Sequence, residues 1–248
     1  MSHFFTPHRL ASDLVVPDRA TPEHPVVEAM PAGPSGPGQA SAYDLATQLV
    51  AKLCHDFISP TGAIVSGLDL LDDPTAQDMR DDALNLIRTS ATKMVALVKF
   101  ARVAFGAATS AEAFSGAEIR IVLENITASL RAQLHYLIPD GQILSKPAAR
   151  ALANLGYMAA NALPTGGVAE IHSRLEGGTL ILETVSKGPR ARLKPEAVEG
   201  LAGHALSDGL SGQWIQPYWL HQVVSEAGGT LEVECLTDEV RLTVRMPN

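Results

Sequence analysis

Two consecutive stretches of about 30 residues with helical periodicity constrain the fold of this chain more than any other feature. In the first stretch, residues 42–71, apolar side chains fall on one stripe about 100° wide: Leu49, Leu53, Phe57, Ile64, Leu68 and Leu71. Asp72-Asp73-Pro74 then ends the helix, because proline lacks a backbone donor and crowds the preceding turn. A second helix is predicted over residues 75–105, and so short a connection predicts an antiparallel hairpin.

The second helix also carries an apolar stripe that would face the first helix: Met79, Ala83, Ile87, Met94, Leu97, Val98, Ala101 and Phe105. A further apolar line on the first helix, made of Ala51, Ile58 and Val65, lies away from its main stripe. A lone hairpin would leave this line in water. We therefore expect a homodimer in which two hairpins form a four-helix bundle.

The rest of the chain changes to a mixed pattern after about residue 107. Helices are predicted at 116–130, 146–163, 195–201 and 213–227, and strands at 133–138, 168–174, 179–185, 230–236 and 239–246. This order predicts an α+β protein, in which the helical hairpin precedes a two-layer α/β sandwich with a mixed sheet. We divide the chain into a disordered Pro/Gly-rich tail (1–41), the hairpin (42–107) and the sandwich (108–248).

Composition and charge exclude several functional classes. The net charge of -8 argues against nucleic-acid binding, which needs a basic face to neutralise phosphates. No apolar run approaches the roughly 20 residues that cross a bilayer, and no secretory signal is present, so we expect a cytoplasmic protein without membrane contact. Cys54 and Cys235 have no metal-ligand spacing, and we expect two reduced, mostly buried thiols.

His55 stands out because it begins the motif His55-Asp56-Phe57-Ile58-Ser59-Pro60 on the first helix. On the helical wheel its side chain lies roughly 160° from the apolar stripe and faces solvent. Its neighbours on that face are the small residues Ser59, Gly62 and Ser66, which leave room for a partner's active site. A neutral imidazole nitrogen is a competent nucleophile towards phosphorus. We therefore predict that His55 is catalytic, and that Asp56 orients or deprotonates its ring.

Three cationic side chains lie on one flank of the second helix: Arg88, Lys99 and Arg102. The acidic phosphorylation site of a receiver domain would be attracted to such a flank. We predict that these cations, together with Ser59, Gly62 and Ser66, form a receiver-docking surface. An ordinary solvated cationic edge is the alternative.

A helical hairpin that carries His-acid-x-x-x-Pro and precedes an α/β sandwich resembles the core of sensor histidine kinases. Residues 155–162, followed by Gly166-Gly167, look like the kinase N-box. Residues 224–234 and 242–247 are similar to the last helix and strands of the kinase ATP-binding domain. The resemblance implies a sandwich of that type.

The elements that bind nucleotide in those kinases are altered in this chain. Ser186-Lys187-Gly188-Pro189-Arg190 stands where they have Asp-x-Gly-x-Gly, so the carboxylate that reads adenine is missing. Gln216-Pro217-Tyr218-Trp219-Leu220 replaces a glycine-containing loop whose backbone must approach phosphates closely. Of the N-box pair only Asn161 remains, and Tyr157 occupies the earlier position. We therefore predict a degenerate ATP-binding domain that holds no ATP.

This combination resembles the ChpT-type histidine phosphotransferases of bacterial phosphorelays over about residues 42–248. Segments 53–64 and 102–107 are similar to signatures of that family. The resemblance implies a homodimer that shuttles a phosphoryl group, on His55, between receiver-domain aspartates of a hybrid histidine kinase and of response regulators. No cofactor is expected, and Mg²⁺ should come from the receiver, since we find no carboxylate cluster suited to the metal. In related kinases the residue matching Ser59 often helps dephosphorylate the partner, which implies a role for Ser59 in orientation or reverse transfer.

Two other functions stay open at this point. One is an active histidine autokinase with a divergent ATP site, which micromolar binding of ATP would reveal. The other is a non-catalytic dimeric scaffold that sequesters a response regulator. Its function would survive replacement of His55 by alanine.

Overall fold

The computed structural model describes residues 40–106, 113–205 and 214–248. Nearly all of the predicted tail, residues 1–39, lies outside the described residues. The first helix, α1 (Ala42–Asp72), follows Ser41, whose hydroxyl accepts a hydrogen bond from the backbone N–H of Asp44 at 3.1 Å. Ser41 is therefore the N-cap of α1, because its oxygen satisfies a free donor of the first turn.

The helices α1 and α2 (Arg80–Ala104) form a hairpin. A 3-10 turn at Gln77–Met79 leads into α2. The helices approach closely at Gly67, where an added Cβ would lie 2.6 Å from Cγ1 of Ile87. A side chain at this position would push the two helices apart.

The hairpin buries less of its apolar stripes than the sequence pattern predicts. Leu68, Met79 and Val98 belong to stripes expected to face the other helix, but they are 49%, 43% and 44% exposed. Two helices in contact cover only a narrow seam of each other, so the edges of a wide stripe stay in solvent. Six further large apolar side chains of the hairpin are exposed as well: Tyr43, Val50, Ile58, Val65, Leu86 and Val95.

A five-stranded mixed sheet forms one layer of the C-terminal part. Its strand order is β2 (Ala132–Tyr136), β4 (Gly167–Glu176), β5 (Thr179–Lys187), β7 (Glu239–Pro247) and β6 (Thr230–Leu236). Strands β2 and β4 are parallel, and the other neighbours are antiparallel. Both predicted β-hairpins are present in this sheet.

Four helices form the second layer: α3 (Gly116–Thr127), α4 (Lys146–Asn161), α5 (Pro195–Leu201) and α6 (Ile215–Glu226). The main hydrophobic core lies between them and the sheet, with α4 at its centre because 11 of its 16 residues are buried. The predicted α+β class with a two-layer sandwich is therefore confirmed.

A separate two-stranded sheet, made of β1 (Ala113–Ser115) and β3 (Ile143–Ser145), was missed by the sequence analysis. Three-residue strands are too short to show alternation, so periodicity does not reveal them. Each of these strands leads directly into a helix, α3 or α4. The small sheet thus fixes where both helices begin.

The expectation about the thiols is wrong, because both Cys54 and Cys235 are exposed. Cys54 lies on the solvent side of α1 beside His55, and Cys235 lies on β6, at one edge of the five-stranded sheet. Within the described residues, no helix has the length and apolar character needed to cross a membrane.

Candidate functional site

His55 lies in α1, and its side chain is 74% exposed. The Nδ1 atom of its ring is 3.4 Å from Oδ1 of Asp56. No hydrogen bond within the described part of the chain engages Nε2. When the proton of a neutral imidazole sits on Nδ1, the lone pair is on Nε2. The geometry therefore presents Nε2 as the nucleophilic atom on the solvent side.

The face of α1 around His55 is open. Ser59, Gly62 and Ser66 are all exposed, as the helical wheel predicts. An added Cβ at Gly62 would meet no heavy atom within 4 Å. A partner can therefore approach the imidazole without displacing a large side chain, although the docking role of these three residues stays a prediction.

Lys52 is the member of this site that the sequence reasoning missed. Its Nζ donates to Oδ2 of Asp56 at 2.8 Å, and the two side chains are 10% and 24% exposed. One oxygen of Asp56 thus bonds to Lys52 and the other faces His55. The signal was available, because a lysine four residues before an aspartate lies one helical turn away on the same face.

The predicted cationic flank of α2 is exposed at all three positions. Arg88 and Lys99 line one open groove of about 770 Å³ between α2 and α3, and Lys93 lines it with them. Arg102 is not part of this groove.

The three cations lie at different heights along the hairpin axis relative to His55. Gly67 faces Ile87 across the antiparallel hairpin. His55 precedes Gly67 by twelve residues, and Lys99 follows Ile87 by twelve. His55 and Lys99 therefore lie at about the same height along the hairpin axis. Arg88 is about three turns further along the hairpin. The structure therefore brings Lys99 level with His55 but does not gather the three cations around it.

A cavity of about 300 Å³ lies between α1 and the C-terminal part, and it is lined by Lys52, Tyr157, Asn161, Gln216 and other residues. Burial raises the pKa of Tyr157, and the negative charge of Asp56 adds to this effect. Among the described residues, no group of three or more His, Cys, Asp or Glu side chains is suited to hold a metal ion.

The residues that replace the kinase adenine motif are engaged within the protein. The hydroxyl of Ser186 is buried and donates to the carbonyl of Ala159 at 2.9 Å. Arg190 has a φ of 61°, a left-handed conformation that glycine adopts more readily. Its backbone N–H donates to Oδ1 of Asp238 at 2.7 Å, which helps to hold that conformation.

The residues that replace the kinase phosphate loop form the start of α6 and join it to the rest of the molecule. The amide of Gln216 donates to Oδ1 of Asn154 at 3.1 Å. The Asn154 amide donates in turn to the carbonyl of Ala104 at 3.0 Å, and the indole N–H of Trp219 donates to the same carbonyl at 2.7 Å. This segment therefore connects α6 and α4 to the last turn of α2.

Comparison with known proteins identifies the family to which this chain is similar. The family model for the histidine phosphotransferase C-terminal domain matches residues 116–239, half of the chain. The protein phosphotransferase ChpT of Brucella abortus (strain 2308) is 33% identical over 211 residues, which cover 82% of this chain and 96% of that protein.

One solved structure agrees with this match. The structure of a bacterial phosphotransferase matches with a TM-score of 0.73 and 26% identity, over 84% of this chain and 98% of that chain. A histidine kinase domain from Erythrobacter litoralis EL346 matches with a TM-score of 0.43 and 13% identity, over 76% of this chain and 95% of that chain, a likeness that says nothing about function. From the family match and the relative in Brucella, the chain belongs to the ChpT-type histidine phosphotransferases.

Proposed function

We propose that this phosphotransferase works in the cytoplasm and carries its phosphoryl group on Nε2 of His55. The group would come from the aspartyl phosphate of a receiver domain in a hybrid histidine kinase and pass to the receiver domains of response regulators. One observation carries the proposal: the ring of His55 is exposed on an open helix face while Asp56 faces its Nδ1.

The chemistry requires only positioning and charge balance. The lone pair of Nε2 forms a bond to phosphorus in line with the bond that breaks, between phosphorus and the receiver's carboxyl oxygen. The electron pair of that bond leaves with the receiver aspartate. As the ring of His55 gains positive charge, the carboxylate of Asp56 beside Nδ1 balances it.

The receiver would supply Mg²⁺, and this chain would supply the docking surface. A phosphorylation site rich in carboxylates favours a cationic flank, and Lys99 lies at about the level of His55. We propose Lys99 as the first of the three predicted cations to contact the receiver, with Arg88 and Arg102 further from the reacting atoms. Ser59, one turn after His55, would orient the phosphoryl group.

The exposed apolar side chains of the hairpin support a homodimer. Val50, Ile58, Val65 and Leu68 lie within about 80° of one another around α1, and each is at least 49% exposed. A contiguous apolar face of this kind on a helix favours contact with another helix. A second copy of the hairpin would cover it and complete a four-helix bundle.

Family membership favours phosphotransfer over an autokinase or an inert scaffold. ATP is not expected to take part, because Gln216 and Trp219 are committed to hydrogen bonds inside the protein. The phosphoryl group would therefore come from another protein.

Mixing the full chain with a receiver domain that has been phosphorylated by acetyl phosphate tests the proposal. We expect acid-labile, base-stable phosphate on the wild type and none on His55→Ala. His135→Ala serves as a matched control, because it removes another exposed histidine, on strand β2, that belongs neither to the site nor to the predicted docking surface. Labelling of His55→Ala at the wild-type rate would overturn the assignment of His55.

A further inference from the structure

The carboxylate of Asp56 has a different partner on each oxygen. Its Oδ2 accepts a hydrogen bond from Nζ of Lys52 at 2.8 Å, and its Oδ1 lies 3.4 Å from Nδ1 of His55. A carboxylate on a short side chain can rotate about two bonds, so a single contact with His55 would not fix its direction. The bond to Lys52 supplies the second point of attachment.

The setting of Lys52 is unusual for a lysine on a helix surface. Its side chain is only 10% exposed, whereas that of His55 one turn away is 74% exposed. Lys52 lines a cavity together with Tyr157 of α4 and Gln216 and Pro217 of α6. All the other residues that line this cavity belong to the C-terminal α/β part and not to the hairpin.

Burial of Lys52 affects the strength and the geometry of its ion pair with Asp56. A lysine and an aspartate four residues apart on an exposed helix stabilise it only slightly, because water screens the charges and both side chains move freely. In a partly dehydrated site the same pair interacts more strongly and holds one geometry.

We propose that Lys52 is a positioning residue for phosphoryl transfer. Lys52 fixes the carboxylate of Asp56 so that Oδ1 holds the Nδ1–H tautomer of His55 and leaves the lone pair on Nε2. The α/β part, through the cavity wall at Tyr157, Gln216 and Pro217, keeps Lys52 in place. The degenerate domain thereby acts on the reacting histidine without binding nucleotide. This inference rests on the proposed function of His55.

The ring tautomer of His55 gives a direct readout. We expect ¹⁵N NMR of the wild-type chain under alkaline conditions, in which an imidazole ring is neutral, to show mainly the Nδ1–H form. Lys52→Met, which keeps the length but removes the charge, should shift the population towards the Nε2–H form that free imidazole side chains prefer. The separate variant Lys52→Arg should keep the wild-type tautomer, because guanidinium also binds carboxylate.

The rate of transfer from a receiver phosphorylated by acetyl phosphate gives the second readout. Lys52→Met should lower the first-order rate within the complex about tenfold, equivalent to about 1.4 kcal/mol, and leave the half-saturating receiver concentration unchanged. Lys52→Gln provides a second uncharged variant if Lys52→Met folds poorly.

A double-mutant cycle separates positioning from general structural support. If Lys52 acts through Asp56, then Lys52→Met in the Asp56→Asn background should cause no further loss of rate. Equal losses in both backgrounds, or an unchanged His55 tautomer in Lys52→Met, would overturn the inference. If the wild type accepts no phosphate from the receiver, the proposed function of His55 is wrong, and the tautomer measurement still decides whether Lys52 positions the ring.

Discussion

The indole N–H of Trp219 donates to the main-chain carbonyl of Ala104 at 2.7 Å. Ala104 is the last residue of α2, where carbonyls have no partner within the helix. The amide of Asn154 donates to the same oxygen at 3.0 Å. The C-terminus of the hairpin is therefore capped by two side chains of the α/β part, one of which lies in the segment that replaces the kinase phosphate loop.

Replacing Trp219 with phenylalanine should lower the free energy of unfolding by about 1 kcal/mol, because one donor to Ala104 is lost while the aromatic ring is largely kept. Urea denaturation followed by circular dichroism measures the change. Trp214→Phe is the matched control, since Trp214 is the second tryptophan of the chain, lies against Lys194 and does not donate to Ala104. An equal loss for both variants would show that the bond to Ala104 contributes nothing specific.

Replacing Arg190 with glycine should stabilise the protein. Arg190 holds a φ of 61°, and a non-glycine residue in that region is disfavoured by about 1–2 kcal/mol. The greater freedom of glycine in the unfolded chain offsets about 0.5–1 kcal/mol of this. We expect a net gain of roughly 0.5–1 kcal/mol, measured as a higher urea midpoint.

Arg192→Gly is the control for this effect. Arg192 is also an exposed arginine in the same loop, but its φ is not positive. The substitution there should leave stability unchanged or lower it, because only the entropic loss applies. A gain at both positions would point to the removal of positive charge and not to backbone strain.

The sequence pattern predicted the long elements of this fold well. The apolar stripes of α1 and α2 repeat over many turns, so the hairpin was evident, and the turn at Gly177-Gly178 marked the β-hairpin of β4 and β5. Periodicity says nothing, however, about which helix surface another domain covers. It therefore gave no sign that Lys52 is buried. Periodicity also does not show how narrow the seam between two helices is, so it placed Leu68 and Val98 inside the hairpin although both are exposed.

The candidate site could be predicted only as far as it lies on a single helix. His55 and its small neighbours lie on one helix, where spacing alone determines which side chains share a face. The cavity that Lys52 lines is shared with Tyr157 and Gln216, more than 100 residues later in the chain. Such contacts depend on tertiary packing, which a single sequence does not display.

The capping box of α3 makes stability depend on pH. The backbone N–H and the hydroxyl of Ser115 donate to the carboxylate of Glu118 at 2.7 and 2.8 Å, which lowers the pKa of Glu118 below its usual value. A depressed pKa in the folded state means that the stabilisation is present above the unfolded pKa and is lost as pH falls through the folded pKa.

Glu118→Ala should therefore be less stable than the wild type at pH 7, and the difference should shrink in acid as Glu118 of the wild type becomes protonated. Urea midpoints measured between pH 7 and pH 3 check this. Glu124→Ala, at an exposed glutamate of the same helix outside the cap, should give a smaller difference with no such trend. A constant difference for Glu118→Ala across this range would contradict the role of the carboxylate.

Isothermal titration with Mg-ATP should give no saturable heat. Ser186 offers a hydroxyl that is already bonded to Ala159, and an adenine amino group needs an acceptor such as a carboxylate at that position. Gln216 and Trp219 fill the segment whose backbone would have to approach the phosphates. A saturable signal in the micromolar range would restore the autokinase as a candidate function.

A charge on the exposed apolar face of α1 should abolish the proposed dimer. Ile58 is 73% exposed in the single chain, and in a four-helix bundle it would pack against the second hairpin. Ile58→Glu would place a carboxylate in that interface without a partner, which is unfavourable by several kcal/mol. Sedimentation velocity should show a dimer for the wild type and a monomer for Ile58→Glu. Ser66→Glu adds the same charge to the polar face that carries His55, and this control variant should remain dimeric. Loss of the dimer in both variants, or a monomeric wild type at the same concentration, would rule out the apolar face of α1 as the interface.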